Sequence, residues 1–446
     1  MTEPNTTIDL DDHLSSGKWS LFQKIAVVLC AVVIVLDGLD VLAISLAAPD
    51  IMADWGITKS DLAPAIAAGL FGMAGGALAG GFLGDRFGRR RLLIANALTF
   101  GAVTLCMMFA DGVVSLSVLR FIAGLGLGSA LPNATALAAE VTPKKHRPMA
   151  ITLTITCIPV GGLLAGEIGA LVLPDHGWQG MFFTAGVLPI LVSLVLMLLL
   201  PESPGFLMKR TDRGERLNKM LAKLGHPVPE NAAITRSEDE PGQGNNSGSP
   251  TNILQRSYAR DTMLLWVGFF FSLTATYLLF NWMPTLLSEL GHDRVISSRG
   301  MSFLNIGGIA SALLAGPLFG LLGSRKLLIF FALGAFAIIG AVLANPAILS
   351  NPDYLFNFAF IILGGCILGF QNIVYPLAAN VYPASIRASG VGSAAGIGRL
   401  GAVVSANVGA ILLASGGAPT YFGAVALCML IAVIGALLVT RQIRAT

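Results

Sequence analysis

Gly81-Phe82-Leu83-Gly84-Asp85-Arg86-Phe87-Gly88-Arg89-Arg90-Arg91, a basic stretch wedged between two apolar runs, recurs at an offset of 235 as Gly316-Pro317-Leu318-Phe319-Gly320-Leu321-Leu322-Gly323-Ser324-Arg325-Lys326. The residues that follow match too: Leu92-Leu93-Ile94 with Leu327-Leu328-Ile329, then Ala97-Leu98 with Ala332-Leu333. A second pair lies at an offset of 240, Glu140-Val141-Thr142-Pro143-x3-Arg147 against Asn380-Val381-Tyr382-Pro383-x3-Arg387. Two matches at nearly one offset mark a duplicated unit, and parallel repeats of this size are the build of a rocking secondary transporter.

The composition sets the medium. Of 446 residues 54% are hydrophobic and 12% charged, and the mean hydropathy is +0.76. A soluble core cannot hide that much apolar surface, and disorder, a disulfide scaffold and a nucleic-acid binder are excluded alike. Twelve runs are long enough to cross a bilayer, near 25–48, 61–83, 92–110, 114–138, 150–172, 180–200, 262–287, 300–322, 327–344, 354–378, 389–414 and 419–440. The expected fold is an all-α membrane protein: twelve transmembrane helices in two pseudo-symmetric six-helix bundles. The expected units are a cytoplasmic leader at 1–24, a bundle at 25–200, a central loop at 201–260, a bundle at 261–440 and a tail at 441–446. The first run lacks a small-residue cleavage site and reads as a retained helix. Ser237–Glu240 and Gly242–Ser249 have linker composition, and the sequon at Asn245 reads as chance.

Charge distribution orients the chain. With the amino terminus inside, cytoplasmic segments hold 23 Lys/Arg against three outside, Lys59, Arg294 and Arg299, so both termini are placed in the cytoplasm. Six charges remain within spans: Asp37, Asp40, Arg120, Glu140, Glu167 and Arg399. No histidine falls in a span and the five cysteines show no metal spacing, so no cofactor and no enzyme chemistry are expected.

Those six carry the expected mechanism, since intramembrane ionisable groups are functional by default. Asp37 lies roughly 20 Å along its helix at 1.5 Å per residue, and Asp40 follows on the same face. Two carboxylates within one turn repel, which favours one of them holding a proton. Gly38 between them admits a neighbouring backbone. Arg120 sits at a similar level and is expected to pair with Asp40 or Asp37, giving a proton-coupling group of Asp37, Asp40, Arg120 and Glu167; a structural ion pair is the alternative. Arg399 stands near the midplane and needs an anion: Glu167, another carboxylate, or the carboxylate of a substrate gripped by its fork. Glu167 is either that partner or a second proton site. Phe270, Tyr277 and Phe280 form one stripe, and Phe370 and Tyr375 flank Gln371 and Asn372. Such rings can stack on a planar substrate and an amide can orient a hydroxyl, the alternative being packing or lipid contact. Arg399, Asp40, Tyr277, Phe280, Gln371, Asn372 and Tyr375 are the candidate substrate-binding residues. Glu140, Arg147 and Arg387 read as gate groups or helix caps, and Trp266 and Trp282 as interfacial belt residues.

The Gly81-x3-Asp85-Arg86-x-Gly88-Arg89-Arg90-Arg91 pattern resembles the signature of the major facilitator superfamily over nearly the whole chain. That resemblance implies gating roles for Asp85, Arg86, Gly88, Arg89 and Arg90, with Asp85 able to face the positive amino end of another helix. The second copy lacks the acid and the first arginine, having Gly320 and Leu321 instead. Pro148 stands where the superfamily usually has glycine after Arg147. Asp37-Gly38-Leu39-Asp40, Arg120-x3-Gly124-x-Gly126-x-Gly128 and Ile386-Arg387-Ala388-Ser389-Gly390-Val391-Gly392 with Gly398-Arg399-Leu400-Gly401 resemble the aromatic acid:proton symporters within it. The resemblance implies import of a small aromatic acid of the benzoate, hydroxybenzoate or phenylpropionate type with protons, across a bacterial inner membrane, by a monomer. The rival is a proton-driven exporter of the same fold, which usually carries Gly-Pro-x-x-Gly-Gly in helix 5; here the run is Ile158-Pro159-Val160-Gly161-Gly162.

Overall fold

In lipid each backbone polar group must be satisfied within its own segment, so long apolar runs fold as helices. The computed structural model describes residues 6–15, 19–208, 214–226, 232–235, 253–255 and 258–443. After strand β1 (Thr6–Asp9) and α1 (Leu10–Ser15) come α2 (Leu21–Trp55), α3 (Lys59–Phe87), α4 (Arg89–Met107) and α5 (Val113–Val141). A 3₁₀ turn (Lys144–His146) leads into α6 (Arg147–Leu199), then α7 (Pro204–Met208), α8 (Gly214–Lys223) and β2 (Ala232–Thr235). The second half holds α9 (Ala259–Glu289), α10 (Arg294–Ala344), α11 (Ala347–Ser350), α12 (Tyr354–Val381) and α13 (Ala384–Leu438).

Among the described residues nine helices are long and apolar enough to cross a membrane. Three of them, α6, α10 and α13, run 53, 51 and 55 residues, about twice what a bilayer needs. Each breaks at a glycine in left-handed conformation, Gly177 (φ 58°), Gly323 (φ 71°) and Gly417 (φ 59°), where a side chain would be strained. The breaks fall in the gaps between the expected spans and yield twelve crossings.

The duplication is visible in packing. In the first half α2 packs on α6 and α3 on α5; in the second α9 packs on α13 and α10 on α12. Across the halves α6 meets α10, α3 meets α13 and α2 meets α9. Gly38 makes the α2–α6 contact possible: a Cβ there would strike the Ile158 carbonyl and come within 3.2 Å of the Gly161 Cα.

The polar stretches fold more than their composition suggests. β1 pairs in parallel with β2, Thr6 opposite Ala232. Leu10 and Leu14 bury against Phe206, Leu207, Leu217, Met220, Leu221 and Leu224. The last four recur at i, i+3, i+4 and i+7, an amphipathic face that a linker reading overlooks. Residues 237–240, 242–249 and the sequon lie outside the described residues. Trp282 is not a belt residue. It is fully buried, donating to the Ala406 carbonyl at 2.9 Å, where Gly409 leaves room for its ring. Trp266 donates to Ser393 Oγ at 3.1 Å, a hydrogen bond to α13 in its own bundle.

The two ends of the molecule differ. Among the described residues every ion pair that joins the two bundles lies at the end opposite the termini: Lys59 with Glu289, Arg294 with Asp50 at 2.7 Å, and Arg299 with Glu167 at 3.7 Å. At the end carrying the termini, the ion pairs among the described residues stay within one half.

Candidate functional site

The centre of the molecule is built on α2. Its helical spacing puts Asp37 and Asp40 one turn apart, and both are buried. Neighbouring helices then give them separate surroundings. Asp40 accepts from Thr104 Oγ1 of α4 at 2.5 Å and pairs with Arg120 Nη1 of α5 at 3.2 Å. Arg120 also reaches the Asp40 carbonyl at 3.4 Å. A buried carboxylate with a guanidinium and a hydroxyl on it has its charge matched and its lone pairs used, the condition under which burial is tolerated. Of the two expected partners for Arg120, the structure selects Asp40. Thr104 is not legible in the sequence, because no spacing rule links a threonine on one helix to an aspartate on another.

Asp37 is different. Its Oδ1 is buried without a hydrogen-bond partner. Arg399 of α13, on the second bundle, is close enough to act on it electrostatically, as it does on Tyr277 of α9 and Tyr375 of α12. Arg399 Nη1 donates across the bundle interface to the Met73 carbonyl of α3 at 3.3 Å. Two of the three anions considered for Arg399 are thereby sorted. Glu167 lies at the end opposite the termini with Arg299 and is not its partner, while Asp37 is the carboxylate nearby.

The aromatic candidates split. Tyr277 packs edge-on against Phe280 with centroids 6.2 Å apart, and Tyr375 packs edge-on against Phe269 at 4.9 Å. Phe270 lies edge-on to its neighbour Phe271 with centroids 5.2 Å apart, and Phe370 is fully buried. Gln371 Oε1 accepts from Ser272 Oγ at 2.8 Å, and Asn372 is half-buried.

At the end carrying the termini the basic loop joins α3 to α4. Arg89 bridges Asp85, at 3.2 Å, and Glu140, which also accepts from Ser203. Asp85 is exposed and has Arg89 as its partner. The amino end of α4 is met by Glu202, which accepts from Arg90 N at 3.0 Å and sits against Gly88. Arg86 is exposed and stacks over Phe87, 5.5 Å from the ring centroid. Arg147 Nε donates to the Thr142 carbonyl at 3.2 Å and Arg387 Nε to the Tyr382 carbonyl at 3.4 Å, so the repeat recurs as geometry. Both arginines cap the end of a helix in their own bundle. Pro148 falls in the first turn of α6, where a missing N–H costs nothing.

In the second half the acid–base cluster is gone. Ser324, at the position of Arg89, donates through Oγ to Gln442 Oε1 at 2.6 Å and through N to the Ile443 carbonyl at 3.0 Å. Asn380, at the position of Glu140, donates to the Arg441 carbonyl at 3.0 Å.

Comparison with known proteins agrees with this architecture. The family model described as Major Facilitator Superfamily matches residues 30–375. A 4-hydroxybenzoate transporter, PcaK of Pseudomonas putida, is 35% identical over 92% of this chain and 90% of its own length. A gallate transporter from the same species is 32% identical over 93% of this chain and 91% of its own length. The inward-open xylose transporter XylE of E. coli superposes with a TM-score of 0.72 at 17% identity, covering 94% of this chain and 97% of that one, which speaks to fold alone. A twelve-crossing, duplicated helical membrane protein with these relatives is a transporter and not an enzyme, and the chain belongs to the major facilitator superfamily, in the group that holds those aromatic acid transporters.

Proposed function

We propose that this protein imports a small aromatic carboxylate together with protons by alternating access, with Asp37 as the proton site and Arg399 as the anchor for the substrate carboxylate. The observation that carries the reading is a buried Asp37 carboxylate oxygen with no hydrogen-bond partner on one bundle, within electrostatic reach of the Arg399 guanidinium on the other. While Asp37 is ionised it competes for Arg399. A proton on Asp37 removes that competitor, so the fork of Arg399 is free for the substrate's carboxylate. Loading of substrate and proton is thereby linked, and the linkage is reciprocal. Asp40, held by Arg120 and Thr104, fixes α2; Tyr277, Phe280 and Tyr375 supply ring faces, with Gln371 and Asn372 beside them.

Because Asp37 and Met73 belong to one bundle and Arg399 to the other, occupancy of the site depends on how the bundles sit. The three ion pairs at the end opposite the termini hold one arrangement, and the Arg89–Asp85–Glu140 cluster stands at the opposite gate. The excess of Lys/Arg at the end of the termini supports a cytoplasmic placement in a bacterial inner membrane. The relatives that transport 4-hydroxybenzoate and gallate support an aromatic substrate. The reading takes the monomer as the working unit.

Uptake of labelled 4-hydroxybenzoate and benzoate into vesicles, with and without an inward proton gradient, tests this. Gradient-driven accumulation is expected. Uptake indifferent to the gradient sinks the symport reading, and gradient-driven extrusion replaces it with the exporter.

A further inference from the structure

The second copy of the basic loop has lost its acid and two of its four arginines but keeps cations at Arg325 and Lys326, and a cavity lies beside it. It measures about 670 Å³ and is lined by Arg260, Arg325, Thr440, Arg441 and Gln442 over a floor of Leu437, Leu438 and Val439. Arg260 opens α9, Arg325 follows the break in α10, and Arg441 lies just past α13, so three distant segments bring guanidinium groups to one place at the end of the termini. Asp261 is the carboxylate beside them, and its oxygens are engaged by Thr440 N at 2.9 Å, Thr440 Oγ1 at 2.6 Å and Arg441 at 3.7 Å. Arg441 also stacks 4.5 Å over the Tyr258 ring. Arg260 and Arg325 have no carboxylate among the described residues. The cavity thus carries an excess of two positive charges. In the first half the equivalent of Arg325, Arg90, is engaged by the Met197 carbonyl at 2.5 Å.

The wall is fixed. Ser324 ties the tail through Gln442 and Ile443, and Ile443 N returns a bond to Ser324 Oγ at 2.9 Å. We propose that this cavity is a binding site for a phosphate-bearing anion, filled by the phosphodiester headgroup of an anionic lipid. Guanidinium forks match phosphate oxygens bidentately. The apolar floor, with Leu438 half-exposed, suits an acyl chain and distinguishes a lipid from a free phosphate. Basic pockets at helix ends facing an anionic leaflet recognise such headgroups.

Native mass spectrometry of the purified full-length protein with phosphatidylglycerol, phosphatidylcholine or inorganic phosphate tests this. Wild-type protein is expected to retain phosphatidylglycerol over phosphatidylcholine. The double variant Arg260→Gln, Arg325→Gln is expected to lose that retention by about tenfold or more, with Lys145→Gln as the unchanged control. Thermal unfolding of the double variant in detergent establishes that it is folded. Inorganic phosphate bound by wild type and lost in the double variant assigns the same site to a free anion. Equal retention of phosphatidylglycerol by wild type and double variant, retention of phosphatidylcholine at the same level, or no binding of either anion overturns the proposal.

Discussion

Reversing the charge of Lys59 and Arg294 is expected to open the end of the molecule opposite the termini. Each cation holds an acid of the other bundle, and each pair is partly shielded: Lys59 is 18% exposed and Asp50 11%. Exposed pairs contribute about 0.2–1 kcal/mol, so the upper part of that range applies to these two. The Arg299–Glu167 pair, 3.7 Å apart and half-exposed on both sides, adds little. Lys59→Glu with Arg294→Glu removes two attractions and adds two repulsions of similar size, a change of roughly 2–4 kcal/mol. At a factor of ten per 1.4 kcal/mol the closed-to-open ratio falls about 30-fold or more. Spin labels at Ser60→Cys and Ser350→Cys, both exposed at that end, in a background without the native cysteines, read the opening by pulsed electron resonance. A new longer distance is expected, and adding Glu289→Lys and Asp50→Arg should remove it. High salt should mimic the reversal weakly, since screening shortens to about 3 Å at 1 M. A distribution that matches wild type in the double reversal, or that stays open after both swaps, refutes the latch.

Arg120→Leu leaves Asp40 buried without its cation, and removing one member of a buried pair costs about 3–5 kcal/mol. The single variant should lose several degrees of thermal stability in detergent, and adding Asp40→Leu should recover part of it; a stable single variant contradicts the pairing. Gly38→Leu drives a side chain into the Ile158 carbonyl, so α2 and α6 must separate. Its unfolding temperature should fall while Gly340→Leu, which meets open space, leaves it unchanged. Burial, and then the nearby His13 ring, hold the His226 imidazole below its ordinary range. A histidine lowered in the folded state destabilises that state as pH falls below its unfolded value of about 6.5. Hydrogen-exchange protection factors of Leu10–Ser15 and Gly214–Lys223, corrected for the slower intrinsic exchange at lower pH, should therefore fall from pH 7.5 to pH 5.5 and lose that dependence in His226→Gln.

Much of this architecture was legible in the sequence because lipid leaves few alternatives. The apolar runs, the gaps where Gly177, Gly323 and Gly417 later break the helices, and the close approach at Gly38 follow from rules that act within about 20 residues. The Arg120–Asp40 contact was legible as one of two options because depth along each helix can be counted. Where partners come from other helices, spacing was silent. It put Asp37 and Asp40 on one face but could not tell that Thr104 and Arg120 would claim only Asp40. It left Glu167 open for Arg399, whereas position along α6 gives it to Arg299. Trp282 sits near a span end, the usual place for a belt residue, yet Gly409 on another helix makes a pocket for it. The face of α8 carried a visible i, i+3, i+4, i+7 signal that the surrounding polar composition masked.

Substrate-induced proton entry tests the coupling most directly. Vesicles carrying the protein and a trapped pH dye, with protein-free vesicles as reference, are given external 4-hydroxybenzoate, and lumenal pH is followed for wild type and Asp37→Asn. The expected result is acidification above the protein-free reference in wild type and none in Asp37→Asn. Substrate entry without acidification in wild type, or undiminished acidification in Asp37→Asn, contradicts a proton carried at Asp37.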